Sequence, residues 1–146
     1  YNGVTDVTDA SILARHAVWS ATAPAAKNQA FNTVNGDVFR WRQLWKHIAN
    51  YFGVEDPGYP AQMTPLEPKM GDADEVWATI VAKHGLQDFK ATHLASWWHT
   101  DADLGRQVET FADMGKSRRA GFKDVNVTFD SFTNLFDRLR AEKIIP

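Results

Sequence analysis

One predicted strand limits how this chain can fold, because the sequence offers almost nothing for it to pair with. Residues 29–34 predict a strand, Asn35-Gly36 is a turn signal, and Asp37 is a plausible cap for the next helix. A lone strand cannot satisfy its own N–H and C=O groups. We therefore expect either an incomplete polypeptide, whose sheet lies elsewhere in a longer protein, or pairing with another copy.

Five or six helices surround this strand in the pattern of apolar residues and capping signals. The clearest is residues 39–52, where an apolar stripe ends at Gly53, a suitable left-handed stop. The other expected elements are a helix at 8–22 capped by Thr8 or Asp9, an irregular connection at 54–71, helices at 73–84 (ending at Gly85) and 90–98, a short strand at 108–112, a short helix around 117–120, and a final helix from Thr128 or Asp130 to about 142.

Composition excludes several classes of function. The net charge of −2 gives no strong attraction to nucleic acid or acidic membranes. The absence of cysteine excludes disulfides and thiolate chemistry, and fits a reducing cytoplasm. No run of about 18 apolar residues is present, so no membrane span is expected. The first residues, Tyr1-Asn2-Gly3, lack an apolar signal core and suggest a piece excised or cleaved from a longer protein.

Chemistry-bearing motifs are few. The glycines are too sparse for a Gly-x-Gly-x-x-Gly phosphate loop, and no Tyr-x-x-x-Lys pair occurs. The five histidines have no metal-ligand spacing, so we expect no metal site. The basic run at 116–119 fits a solvated helix face better than a phosphate site. No catalytic and no cofactor-binding residue is predicted in this chain.

The strongest candidate for a binding site is Trp97-Trp98-His99. Adjacent tryptophans point to different sides of a helix, so we expect one to pack and the other to face a cleft for an apolar ligand. His99 and Asp101 could form an acid–base pair. An exposed histidine near a helix end, beside a capping aspartate, is the commoner arrangement.

A series of short segments along nearly the whole chain carries a family resemblance. Their order and spacing are more specific than any one of them. They are Thr8-Asp9-Ala10 with Leu13-Ala14, residues 27–32, residues 35–41, residues 51–55, Val76-Trp77, His84-Gly85-Leu86, Trp97-Trp98, Asp113-Met114 with Lys116-Ser117, Gly121-Phe122 and Ile144-Ile145-Pro146. In these segments the chain resembles the C-terminal portion of extended short-chain dehydrogenase/reductases, in the branch of progesterone 5β-reductase and iridoid synthase.

The resemblance implies a helix-rich α/β fold with one to three short strands: residues 1–146 as a single C-terminal substrate-binding domain of a Rossmann-type reductase. The parent enzyme would use NAD(P)H, and its catalytic tyrosine and lysine and its dinucleotide-binding domain would precede Tyr1. No cofactor is expected on these residues alone. The segments carried over as substrate-binding are Val4 and Thr5, which border the pocket, and Trp97, Trp98 and His99, which close over the substrate. Plant relatives tend to carry an aromatic residue where His99 stands, which favours a smaller or more polar substrate.

The expected partners are a small-molecule substrate and the missing Rossmann domain. Strand 29–34 and helix 8–22 would otherwise expose apolar surface, so self-association through them is a further expectation, which a monomer in equilibrium ultracentrifugation would contradict. Three alternatives remain: a stand-alone small-molecule-binding module, an interaction domain that presents the strand edge, and the C-terminal half of a sugar-nucleotide epimerase or dehydratase.

Overall fold

A computed structural model describes residues 1–146 as a helix-rich α/β fold with seven α-helices and one two-stranded sheet. The elements in chain order are β1 (Val4–Thr5), α1 (Ala10–Thr22), β2 (Phe39–Arg40), α2 (Trp41–Phe52), α3 (Ala73–His84), α4 (Ala91–Leu94), α5 (Trp97–Leu104), α6 (Gly115–Ala120) and α7 (Thr128–Ala141), with 3-10 turns at Pro24–Ala26 and Glu67–Lys69. No helix has the combined length and apolar character that crossing a membrane requires.

The chain forms two compact units. The first unit is Tyr1–Asp56 with Val108–Phe132, and the second unit is Pro57–Gln107 with Thr133–Pro146. The sheet lies in the first unit: β1 and β2 pair antiparallel, with Val4 opposite Arg40 and Thr5 opposite Phe39. Thr110 adds one isolated parallel bridge to Thr5, so the strand expected at 108–112 is reduced to a single bridge.

Helix ends follow local signals closely. Asp9 caps α1 by accepting a hydrogen bond from Ser11 N at 2.7 Å, and the Ser11 hydrogen bonds lower the pKa of that carboxyl. Gly53 ends α2 with φ 65° and Gly85 ends α3 with φ 61°, both in the left-handed region where glycine is favoured. These caps and stops are confirmed as predicted.

The strand expected at residues 29–34 does not form. The segment has no strand partner in this chain, and side chains form hydrogen bonds with its backbone in place of a neighbouring strand. The Ala30 carbonyl accepts a hydrogen bond from Lys116 Nζ at 2.9 Å, and the Thr33 carbonyl accepts one from Thr8 Oγ1 at 2.9 Å. Side chains that are distant in sequence therefore satisfy these backbone carbonyl groups where no neighbouring strand is present.

Asp37 is a helix cap, but of a different helix from the one expected. α2 begins directly after β2 with Arg40 at its N-cap and no capping side chain. The Asp37 carboxylate instead accepts hydrogen bonds from Thr128 N at 2.8 Å and from Thr128 Oγ1 at 2.6 Å, 91 residues away in sequence. The prediction was wrong about the target because turn chemistry identifies a capping residue without identifying which helix it meets.

The helix expected at 90–98 is broken. Ala95 and Ser96 have extended backbones between α4 and α5, so Trp97 begins a helix and does not end one. Ser96 occupies the N-cap position of α5, where serine is common, but its side chain makes no capping hydrogen bond. The break could not be predicted, because residues 90–98 contain neither glycine nor proline to indicate a helix end.

Buried apolar side chains are concentrated in the first unit. Ile12, Val34, Met114 and Phe122 form its core cluster, with Trp19 packed against it. In the second unit Ala91 is the only buried apolar residue. Large apolar side chains are exposed there; they are Tyr59, Met63, Val76, Phe89, Leu94, Trp98 and Leu135. The second unit thus has many apolar groups and almost no core of its own.

Candidate functional site

The predicted substrate-binding residues lie in two places. Val4 and Thr5 form β1 in the first unit, where both are half-buried and Val4 N donates to Glu109 Oε1 at 2.9 Å. Trp97, Trp98 and His99 form the first turn of α5 in the second unit. Val4 and Thr5 therefore lie on a strand, and Trp97, Trp98 and His99 lie on a helix.

The two tryptophans differ in exposure, in the way that adjacent helical positions predict. Trp97 is half-buried, whereas Trp98 is 61% exposed and stacks at a tilt on His99 with 5.4 Å between ring centroids. His99 Nε2 lies 3.4 Å from the carboxylate of Asp103, one helical turn later. That pairing follows from i, i+4 spacing, a signal present in the sequence.

Asp101 has a structural partner other than His99. Its two carboxylate oxygens accept from Leu66 N at 2.7 and 2.9 Å, and one of them also accepts from Glu67 N at 3.0 Å. These bonds cap the 3-10 turn at Glu67–Lys69. The arrangement is an exposed histidine near a capping aspartate, and the geometry gives no support to a His99–Asp101 acid–base pair.

Asn35 is the most connected buried polar residue of the first unit, and it is fully buried at 0% exposure. Its Oδ1 accepts from Asp9 N at 2.7 Å, and its Nδ2 donates to Thr128 Oγ1 at 3.2 Å. Its backbone N donates to Val7 O and its backbone O accepts from Asn126 N, each at 2.9 Å. The side chain joins the start of α1 to the start of α7, so its role is structural.

His16 and Ser117 resemble a nucleophile–base pair, but both side chains are enclosed. His16 Nε2 lies 3.2 Å from Ser117 Oγ, and the two residues are 5% and 1% exposed. Rings of Trp19, Phe31 and Phe122 surround the imidazole at centroid distances of 5.1, 5.8 and 4.6 Å. A substrate could not reach the hydroxyl, so this pair belongs to the core.

The buried imidazole predicts a pH dependence of stability. Burial lowers the pKa of His16 below its ordinary 6.5, so the folded chain holds it neutral where the unfolded chain binds a proton. The contribution of the neutral His16 side chain to the free energy of unfolding is therefore complete above pH 6.5, and it is lost as pH falls from 6.5 toward the folded pKa. Urea unfolding across this window should show a steeper acid loss for the native chain than for His16→Phe. Equal slopes would contradict the prediction.

An open groove of about 470 Å³ in the first unit lies along the exposed side of α1. It is lined by Ala14, Arg15, Val18, Trp19, Gly121, Phe122, Lys123 and Asp124. Arg15 and Asp124 pair at 2.7 Å across part of its wall. The groove contains none of the predicted substrate-binding residues.

The connections between strands and helices in this chain lack a glycine-rich turn for the phosphates of a dinucleotide. Two strands lead into helices, β1 through residues 6–9 into α1 and β2 directly into α2, and neither connection has the glycines that a phosphate-binding turn needs for close backbone approach. Asn35-Gly36-Asp37 is engaged with α1 and α7 through the Asn35 and Asp37 hydrogen bonds described above. No group of three or more potential ligands is placed to hold a metal ion.

Comparison with known proteins gives one family match over nearly the whole chain. A family model described as a PRISE-like Rossmann-fold domain matches residues 5–146.

Curated relatives include an (S)-8-oxocitronellyl enol synthase of Nepeta cataria, 40% identical over 100% of this chain and 38% of its own length. The enol synthase of Antirrhinum majus is 42% identical over 97% of this chain and 36% of its own length. A 3-oxo-Delta(4,5)-steroid 5-beta-reductase of Arabidopsis thaliana is 36% identical over 100% of this chain and 38% of its own length. The chain thus spans well under half the length of the relatives it matches.

Proposed function

The chain belongs to the PRISE-like Rossmann-fold family, and we propose that it forms the C-terminal, substrate-binding portion of an NAD(P)H-dependent reductase acting on an activated carbonyl or enone. The observation that carries the proposal is the match of residues 5–146 to this family, together with relatives of which the chain covers 38%. The cofactor site and the groups that take part in hydride transfer would belong to the part of the parent polypeptide outside residues 1–146.

The names of the relatives describe related chemistry. A 3-oxo-Delta(4,5)-steroid is a conjugated enone, and the other relatives are named for forming an enol. Hydride addition to the β-carbon of an enone places negative charge on the carbonyl oxygen, and protonation of that oxygen gives an enol. A donor near the oxygen is the device that stabilises such charge. We therefore assign this chain to a reaction of the same class.

The second unit supports a role that depends on further protein. It buries one apolar residue, Ala91, and leaves large apolar side chains such as Phe89 and Trp98 exposed. Exposed apolar surface of this kind is typical of a contact or ligand surface. We expect the cofactor-binding part of the polypeptide and the substrate to cover it. Residues 1–146 alone should then be inactive.

In the second unit, Trp97 and Trp98 would form an apolar wall for the substrate. Val4 and Thr5 of the first unit remain separate candidates for substrate binding. His99 introduces a polar group that is 65% exposed in its side chain. We propose a substrate smaller or more polar than a steroid, because the family resemblance implies an aromatic residue at this position in plant members and an imidazole is more polar than a phenyl ring.

The test compares residues 1–146 with the complete reading frame that contains them. NADPH consumption is followed with cyclohexenone, with a 3-oxo-Delta(4,5)-steroid, and with cyclohexanone as the matched substrate that lacks the conjugated double bond. We expect turnover of an enone by the complete protein, little with cyclohexanone, and none by residues 1–146. A reading frame without a glycine-rich turn and a Tyr-x-x-x-Lys pair before Tyr1, or a complete protein inert to every enone, would overturn the proposal.

A binding module without reductase chemistry is the second candidate, and the half-buried Trp97 beside an exposed Trp98 favours it over an interaction domain. An epimerase half would keep the cofactor but leave added NADPH unconsumed.

Self-association stays a proposal for α1 alone, through its exposed Leu13 and Val18, since residues 29–34 form no strand edge.

A further inference from the structure

Two buried hydrogen-bond donors in the second unit have no partner. They are the indole Nε1 atoms of Trp77 and Trp97. Buried polar groups in folded proteins are almost always hydrogen-bonded, so each exception needs a physical reason. An indole N–H only donates, so the group that would satisfy it must carry an acceptor oxygen or nitrogen.

Trp97 lies on the same face of α5 as the carboxylate of Asp101. The two residues are four positions apart, which places them one above the other on a helix. Asp101 accepts from Leu66 N and Glu67 N at 2.7 to 3.0 Å, so it fixes the 3-10 turn Glu67–Lys69 against this face. Trp98, one position on, points elsewhere and is 61% exposed.

Residues 57–70, which carry that turn, form a proline-rich segment. It contains Pro57, Pro60, Pro65 and Pro68 and no α-helix or strand. At the C-terminal end of α5, the Met63 methyl lies 3.7 Å from the place that a Cβ on Gly105 would occupy. The proline-rich segment therefore follows α5 from Gly105 back to Asp101, and the Asp101 carboxylate anchors it at Leu66 and Glu67.

We propose that Trp97 Nε1 is a hydrogen-bond donor to a carbonyl oxygen of an apolar ligand, and that the Asp101 contact with the proline-rich segment controls access to it. The ligand class follows from the donor and its setting: a neutral acceptor oxygen for the N–H, and apolar surface for the ring. The choice of a carbonyl compound rests on the proposed function. The donor and the Asp101 contact stand on geometry alone.

The test uses residues 1–146 and the indole N–H signals in ¹⁵N-labelled protein, with Trp97→Phe to assign the signal. Asp101→Ala removes both acceptor oxygens and should release the proline-rich segment. We expect the Trp97 indole N–H to exchange with solvent about tenfold faster in that variant. The Trp77 signal is the internal control and should not change. Asp103→Ala, on another face of the helix, is the matched carboxylate control.

Cyclohexenone and methylcyclohexene are the probes, since they have similar apolar bulk and only the first has a carbonyl oxygen. Cyclohexenone should shift the Trp97 indole signal downfield, more strongly in Asp101→Ala than in the native chain, and methylcyclohexene should not. Unchanged exchange in Asp101→Ala, or equal shifts with both probes, would overturn the inference. Enone turnover by the complete protein is independent of these signals, so failure here leaves the proposed function intact. Failure of enone turnover would remove the reason for choosing a carbonyl compound but would leave the Trp97 donor and the Asp101 contact standing.

Discussion

Replacing Asn35 by alanine should lower the free energy of unfolding by about 2–4 kcal/mol. Asn35 is fully buried and accepts from Asp9 N while donating to Thr128 Oγ1. Alanine removes both bonds and leaves the Asp9 amide without its acceptor. Because a buried group that loses its partner costs more than a hydrogen bond contributes on average, the effect should exceed that of an ordinary polar deletion.

Asn50→Ala is the matched control for this measurement. Asn50 is exposed on α2, and alanine is the better helix former, so its unfolding free energy should stay within about 0.5 kcal/mol of the native value. Urea unfolding of both variants, followed by far-UV circular dichroism, gives the comparison. If Asn35→Ala were as stable as Asn50→Ala, the hydrogen bonds of Asn35 would not be holding the two helix starts together.

Ile12→Ala has a similar or larger effect, with an expected loss of about 2–5 kcal/mol. Ile12 is 0% exposed on α1 and belongs to the core cluster with Val34, Met114 and Phe122. The substitution removes apolar contacts and leaves a cavity that the surrounding side chains fill incompletely. The first unit has few other buried aliphatic side chains to compensate for that loss.

Leu13→Ala is the control for the effect of burial. Leu13 follows Ile12 on the same helix and is 51% exposed, so its replacement removes a similar aliphatic side chain from an exposed position. Its substitution should cost under about 1 kcal/mol. Thermal and urea unfolding measure both variants, and Ile12→Val, with an expected loss of about 0.5–1.5 kcal/mol, keeps the comparison measurable if Ile12→Ala does not fold. Equal losses for the two alanine variants would contradict the assigned core.

Features encoded by neighbouring residues could be predicted from the sequence. The bounds of α3 are those predicted, and the Gly53 and Gly85 stops and the Asp9 cap follow from one turn of chain each. The family was also identifiable, because short segments keep their order over most of the chain. The helix bounds, the glycine stops and the Asp9 cap share a cause: the deciding interactions lie within about four residues of each other.

Features decided by distant residues could not be predicted. The partner of Asp37 is 91 positions away, and the Asp101 carboxylate meets Leu66 across 35 positions. The absence of a strand at 29–34 has the same origin, because strand formation depends on a neighbour that sequence pattern alone does not supply. Of the site, the contrast between Trp97 and Trp98 was predictable from helical geometry. The substrate-binding roles of Val4, Thr5, Trp97, Trp98 and His99 stay predictions.

The contact between Asp37 and Thr128 also sets an order of events during synthesis. A ribosome adds about 5–20 residues per second, so roughly 5–18 s pass between the two residues. Throughout that interval Asp37 is without the helix end that it caps, and Asn35 is without the Thr128 hydroxyl to which it donates. The nascent first unit therefore stays open until residues up to Phe132 have been added, which leaves its apolar residues available to chaperones during that interval.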